Sequence, residues 1–307
     1  MTSRSQTTIS PLAWALLFLL AFIWGGSFLS NRAAVAHVPV FTVVAFRVGG
    51  AALALWAYVL LRRLPLPPRN RLASLLVVGV TNNVIPFSLI VWGQQHIPSG
   101  LAGILNASTA IFTVLLAAAI FPDERLTARK AAGVAIGFLG VVVAIGPSEL
   151  RALDLTSLGQ LAIVAAAAFY AISGTFARGA LTGLRPEVSA AGTLAGAAMV
   201  MLPLAVWIDG PPTLDYPPSS WAAMAYLALV ASAFAYMLFY VVLQRAGAGN
   251  LSLVTLMVAP VAMLLGSLVY GEALRGAEYA GFALLALGLM VLDGRVLRLF
   301  RIPAESA

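Results

Sequence analysis

Residues 122–140 read PDERLTARKAAGVAIGFLG, and residues 270–288 read YGEALRGAEYAGFALLALG. A shift of 148 residues lays Glu124, Leu126, Gly133 and Gly140 on Glu272, Leu274, Gly281 and Gly288. The same shift lays Gly26-Ser27-Phe28 on Gly174-Thr175-Phe176, nearly a hundred residues upstream of the first match. One offset that serves both ends of so long a unit marks an internal duplication, although the segments between need slips of a residue or two. The two copies are expected to occupy 1–150 and 151–307.

Hydropathy shows what is duplicated. The chain is 61% hydrophobic and 9% charged, against about 25% charged residues in an ordinary soluble domain. Apolar runs long enough to cross a bilayer occur at 11–30, 39–61, 72–92, 98–121, 129–146, 157–177, 187–208, 220–243, 249–270 and 277–296. The first is preceded by a polar segment, Met1 to Ser10, without a small-residue cleavage site, and reads as a retained helix and not a signal peptide. The intervening segments, such as RRLPLPPRNR at 62–71 and DGPPTLDYPPSS at 209–220, are too short for a soluble domain. The sequence therefore predicts an all-α polytopic membrane protein of ten transmembrane helices. Five spans per copy is an odd number, so the second copy must enter the membrane upside down. In inverted-repeat carriers the substrate site lies near the midplane, where the repeats meet.

The charge map has the same parity. Of eighteen Lys and Arg residues, fourteen fall on the side of the termini and of loops 2–3, 4–5, 6–7 and 8–9. Three, Arg32, Arg151 and Arg275, fall on the other side, and Arg47 lies within span 2. This asymmetry predicts cytoplasmic amino and carboxyl termini and a place in the cell inner (plasma) membrane. The net charge of +7 is then a topology signal facing anionic lipid, and no nucleic-acid partner is implied.

Two further stretches, FIWGGSF at 22–28 and AFRVGGAAL at 45–53, complete a pattern. Together with the PDERLT and GEAL turns before glycine-spaced last helices, the chain resembles the drug/metabolite transporter superfamily. Its EamA-type branch is the nearest, and the YddG-type amino-acid exporters are the members most suggested. The resemblance implies a central cavity walled by spans 1, 3, 4, 6, 8 and 9, with spans 5 and 10 peripheral. It implies a place near the periphery for span 2 as well. Two departures limit residue-by-residue transfer: Phe112 stands where the second half has Pro260, and Ser173 stands opposite Gly25.

Several chemistries are poorly served. There are no cysteines, hence no disulfides or thiolate metal sites. All eleven acidic residues lie in loops or at span ends, and His37 and His96 lie at the outer ends. A proton-coupled cation pump would place a carboxylate at the midplane. The sequence also lacks HExxH and GxSxG, so it predicts neither an enzyme nor a bound metal or cofactor. Glu124 and Glu272 read as turn and capping groups.

Uncharged polar and aromatic residues, by contrast, form stripes at helical spacing. Span 1 offers Trp24, Ser27, Phe28 and Asn31; span 3 pairs Asn83 with Phe87, and Asn82 with Pro86; span 4 offers Ser99, Ala102, Asn106, Thr109 and Thr113. Span 6 offers Tyr170 and Ser173; span 8 offers Ser232, Tyr236, Tyr240 and Gln244; span 9 offers Ser252 and Thr255. From these the candidate substrate-binding residues are Trp24, Ser27, Asn82, Asn83, Phe87, Asn106, Tyr170, Ser173, Tyr236, Tyr240, Gln244 and Thr255. Ser and Thr can equally bond their own helix or glue helices together. The asparagines either line a hydrated cavity or hydrogen-bond between helices. Arg47 is a secondary candidate, either binding a substrate carboxylate or bonding helix-end carbonyls. Pro86 and Pro260 sit near span centres as hinges or static kinks. Gly133, Gly137, Gly140, Gly281 and Gly288 read as close helix packing.

The function expected is export of small neutral or zwitterionic metabolites, amino acids including aromatic ones, by alternating access. The alternatives are a drug or nucleotide-sugar carrier of the same fold and a lipid scramblase. The partners implied are a small-molecule substrate and the lipid bilayer; a monomer would suffice.

Overall fold

The computed structural model describes residues 11–121, 126–146, 154–213, 215–246 and 253–293. Among them the chain forms helices and no strands. They run in order as α1 (Pro11–Val35), α2 (Val40–Leu61), α3 (72–93), α4 (Ser99–Ile120) and α5 (Ala128–Ile145). The second half follows with α6 (Leu155–Ala180), α7 (Pro186–Ile208), α8 (218–246), α9 (Leu253–Tyr270) and α10 (Gly276–Asp293). Among the described residues eight of these are long and apolar enough to cross a membrane, and two, in α9 and α10, are shorter apolar helices. Each matches an expected span. The expected start of span 9 and end of span 10 lie outside the described residues. In lipid, where no water can take an unpaired N–H or C=O, helices of this kind are the default.

The acids that hydropathy left at span ends cap helices. Asp154 accepts from the backbone N–H of Ser157 at 2.8 Å and starts α6; those hydrogen bonds hold its carboxyl below the usual range. Asp209, at the end of α7, accepts from the backbone N–H of Thr42 at 2.7 Å and caps α2. Glu272 accepts from the N–H groups of Ser99 and Gly100, at 3.0 and 3.1 Å, at the start of α4. A carboxylate beside otherwise unpaired N-terminal N–H groups is favoured by both hydrogen bonding and the helix dipole. Glu272 is thus a cap, as expected, although for a helix of the other half. Glu124 lies outside the described residues.

Several helices pack on their own counterparts: α2 on α7, α4 on α9 and α5 on α10. The α5–α10 contact is backbone to backbone. A Cβ on Gly140 would lie 2.5 Å from the Leu285 nitrogen, and one on Gly288 would lie 2.5 Å from the Gly137 nitrogen. Only glycine allows that approach. The pair contributes nothing to the cavity described below, in keeping with the peripheral place expected for spans 5 and 10.

Both α3 and α8 contain a π-helical turn, at Val80–Val84 and at Tyr226–Phe234. The 148-residue shift carries 80–84 onto 228–232, so the irregularity recurs at the same place in both halves. In α3 its cause is visible. Pro86 has no N–H for the carbonyl four residues back, and its ring crowds that carbonyl; the wider turn, closed by Ile85 N–H to Val80 O, accommodates it. In α4 the helix is interrupted at Ala107–Ser108 without a proline, between Ser99–Asn106 and Thr109–Ile120. There the Ser108 hydroxyl bonds Leu105 O at 2.6 Å and the Thr109 hydroxyl bonds Asn106 O at 2.7 Å. Such side-chain bonds compete with the helical ladder.

Candidate functional site

A cavity of about 420 Å³ opens between the halves, walled by parts of α1, α2, α3, α4, α6, α8 and α9. From α1 come Trp24, Ser27, Phe28 and Asn31; from α2, Arg47; from α3, Asn82, Phe87 and Ile90. From α4 come Asn106, Thr109 and Thr113; from α6, Tyr170; from α8, Ala231, Tyr236 and Phe239; from α9, Thr255 and Val258. A roomier groove of about 680 Å³ lies between α2 and α7, but its wall is apolar apart from Thr42. A site that orients a solute needs converging polar groups, and the smaller cavity has them.

Eight of the twelve candidate residues line this cavity: Trp24, Ser27, Asn82, Phe87, Asn106, Tyr170, Tyr236 and Thr255. Asn83 and Ser173 do not. Asn83 is fully buried one position behind Asn82. The α3 π turn is the reason. In an α-helix Asn83 and Phe87 would share a face; across the wider turn Asn82 joins Phe87 instead. Asn82 donates to the Tyr236 hydroxyl at 2.9 Å, which in turn donates to Asn83 Oδ1 at 2.9 Å. Ser173 is buried against α3, its hydroxyl 3.1 Å from that of Thr81. That is an interhelical hydrogen bond, the plain role open to a membrane serine. The side chains of Tyr240 and Gln244 lie outside the described residues, as does Ser252. On α4, Ser99 and Ala102 are buried away from the cavity, which begins at Asn106.

Arg47 departs most from expectation. The sequence left it between a substrate carboxylate and helix-end carbonyls, on a span thought peripheral. Among the described residues it meets no helix-end carbonyl, and its place is not peripheral. Its side chain is buried and lines the cavity. Nε donates to Ser232 Oγ, in the α8 π turn, at 3.0 Å, and the guanidinium lies 3.7 Å above the Phe87 ring centroid. Cation–π contact and one hydrogen bond hold the group in place; no acidic side chain pairs with it among the described residues. Pro86 is buried beside the π turn, whereas Pro260 is on an exposed face of α9.

Asn31, Phe28, Thr109 and Thr113 stood on the polar stripes without being singled out, and all four line the cavity. Asn31 is four residues beyond Ser27, a spacing that carried the signal. Ile90, Val258 and Phe239 carried none, because an apolar residue facing a cavity is indistinguishable in sequence from one facing lipid.

The end of the bundle that carries loops 1–2, 3–4 and 9–10 is tied together by polar contacts. Glu272 pairs with Arg32 while capping α4. Arg32 lies 4.8 Å from the Tyr270 ring centroid, and the Tyr270 hydroxyl donates to Leu29 O at 3.3 Å. Beneath them Asn31 donates to Gln94 at 3.1 Å, and Gln94 donates to Phe28 O at 2.8 Å.

A multi-pass helical membrane protein whose two halves enclose a cavity lined with amides and hydroxyls, and with no acid among the described residues, has the form of a solute carrier. The EamA-like transporter family matches the chain twice, over residues 12–146 and 157–292, and the chain belongs to that family. It is 29% identical to a probable terminal-alkyne amino-acid exporter of Streptantibioticus cattleyicolor, over 94% of this chain and 95% of that one. It is 26% identical to a probable amino-acid metabolite efflux pump of Escherichia coli, over 90% and 93% of the two chains. An uncharacterized transporter of Archaeoglobus fulgidus shares 28% identity over 91% and 97%. A solved crystal structure with 24% identity superposes at a TM-score of 0.64, over 95% of this chain and 99% of that one. At that identity the likeness establishes the fold alone.

Proposed function

We propose that this transporter exports small neutral or zwitterionic metabolites, amino acids foremost, by alternating access. In this reading the units 1–150 and 151–307 are inverted five-helix repeats that rock about the cavity, and both termini lie in the cytoplasm of a cell with the chain in its inner membrane. The observation that carries the reading is the wall of the 420 Å³ cavity: amides, hydroxyls and aromatic rings drawn from both halves, one arginine and no acid among the described residues. The names of the Streptantibioticus and Escherichia relatives support it. The basic asymmetry of the loops supports the orientation, which puts the Glu272–Arg32 end on the side away from the cytoplasm. That contact would then be the gate that opens on export.

A nucleotide sugar is less well served. Its two phosphates carry more negative charge than one arginine can match, and phosphate clamps draw on several cations. The test is counterflow in proteoliposomes. Purified protein should exchange a labelled neutral amino acid across the vesicle membrane without a pH gradient. Absence of flux across a panel of neutral amino acids, aromatic ones included, would sink the proposal.

A further inference from the structure

The hydrogen-bonding capacity of the cavity wall is lopsided. The hydroxyls of Ser27, Thr109 and Thr113 give their protons to carbonyls of their own helices, at 2.6, 2.7 and 2.8 Å. What they can turn towards a solute is lone pairs. The Asn31 amide is oriented by a chain of contacts. Gln94 Nε2 must donate to the backbone carbonyl of Phe28, so Gln94 Oε1 accepts from Asn31 Nδ2. That leaves Asn31 Oδ1 as a buried acceptor with no partner among the described residues, and Asn106 Oδ1 is a second. Orphaned buried acceptors cost stability unless something occupies them.

Against these acceptors stands one cation. Arg47 uses Nε on Ser232 and its face on Phe87; its remaining N–H donors have no hydrogen-bond partner among the described residues. A desolvated guanidinium is well matched by a carboxylate, which it can hold through two parallel hydrogen bonds.

Resting on the carrier reading above, we infer that the cavity recognises a zwitterion by both of its charges. The terminal N–H groups of Arg47 receive the substrate carboxylate, and Asn31 Oδ1 and Asn106 Oδ1 accept from its ammonium. Neutral acceptors suit this task better than an acid would. An acid would pair with Arg47 in the empty cavity and would have to be pulled away from it. The arrangement also ranks ligands. A cationic amine without a carboxylate meets Arg47 as a like charge, and a carboxylate without an amine leaves both amide oxygens unpaired.

The experiment uses wild-type protein in proteoliposomes with labelled L-phenylalanine, or the best-carried member of the amino-acid panel and its matching analogues, against two competitors. L-phenylalaninamide lacks the carboxylate, and phenylpropionate lacks the amine. Phenylpropionate should compete more weakly than unlabelled phenylalanine, and the amide more weakly still, by about tenfold or more, a difference of about 1.4 kcal/mol. Arg47→Gln, verified as folded by size exclusion, should raise the half-saturating phenylalanine concentration by about tenfold or more, with Arg47→Lys intermediate. Asn106→Leu should abolish the preference for phenylalanine over phenylpropionate, an effect that a packing role would not produce. Equal competition by the amide overturns the inference while leaving the carrier reading intact, and so does an unchanged half-saturation in folded Arg47→Gln. Absence of flux for every amino acid defeats both.

Discussion

Helices α1 and α6 begin equivalent halves and carry matched motifs, Gly-Ser-Phe at 26–28 and Gly-Thr-Phe at 174–176, yet they face different surroundings. On α1, Ser27 and Phe28 line the cavity along with Trp24 and Asn31. On α6 the cavity receives Tyr170 alone, while Phe176 is exposed and the Thr175 hydroxyl bonds Ala171 O at 2.8 Å. The glycines differ as well. A Cβ on Gly26 would lie 2.7 Å from the Tyr226 hydroxyl oxygen, and one on the adjoining Gly25 would lie 2.5 Å from Val261 Cγ1 and 3.2 Å from the Ala262 nitrogen of α9, whereas a Cβ on Gly174, the counterpart of Gly26, would meet nothing within 4 Å. The duplication preserved a fold and let the two copies diverge in what they present to a solute. A matched motif is therefore evidence about architecture and only weakly about function.

The largest expected effect tests that difference at the backbone. Gly25→Ala forces α1 away from α9 and should destabilise the protein by about 1–3 kcal/mol, the usual range for overpacking. Gly174→Ala should be neutral or mildly stabilising, because alanine favours the helix and nothing opposes it. Thermal unfolding in detergent compares the two directly. Equal losses would mean that the α1–α9 approach is not as close as described.

Next in size is a transport comparison. Phe28→Ala and Ser27→Ala alter the cavity wall, and we expect the phenylalanine variant to lower counterflow severalfold. Phe176→Ala and Thr175→Ala, at the repeat-matched positions, should leave flux per folded protein unchanged. Loss of flux in the α6 pair would show that its motif serves the site in another conformation of the cycle, and the asymmetry would then belong to one state alone.

How much of this could be read beforehand depends on what lipid demands. The ten helices were legible, because a bilayer span calls for about 20 apolar residues and the loops between are punctuated by proline and arginine. The glycines of α5 and α10 were legible as contacts, since nothing but close packing calls for that spacing. The site was legible in type, amides and aromatics on helices that face a cavity, but not in every residue. Asn82 and Asn83 show why. Period 3.6 joins Asn83 to Phe87, and the π turn ahead of Pro86 hands that place to Asn82. The recurrence of a π turn in α8, which has no proline there, left no trace in the sequence. Arg47 was placed by its neighbour Ser232, and contact with a helix of the other half is what a single-helix pattern cannot report.

That pair of asparagines gives a comparison one residue apart. Asn82→Leu removes a donor from the cavity wall and should reduce flux while costing little stability. Asn83→Leu leaves the Tyr236 hydroxyl without its acceptor inside the packed bundle, and the penalty for an unmet buried group is about 1–3 kcal/mol. It should therefore lower thermal stability more than Asn82→Leu, with flux per folded molecule changed less. The opposite ordering would return Asn83 to the wall and put the π turn in doubt.

The smallest effect concerns α6 again, on the side where its burial serves no visible function. Gln160 is fully buried, and neither of its amide atoms has a hydrogen-bond partner among the described residues. It does not line the cavity. Replacing it with methionine keeps the shape of the chain and removes a donor and an acceptor that pay a desolvation cost without return. Gln160→Met should raise the unfolding temperature by a few degrees, since relieving an unsatisfied buried group is worth about 1–3 kcal/mol at most. Counterflow should be unchanged. A fall in flux with stability gained would mean that the amide finds its partner in the conformation the carrier adopts at the other end of its cycle. The apparent idleness of α6 would then be a property of this state, and the contrast with α1 would reverse on transport.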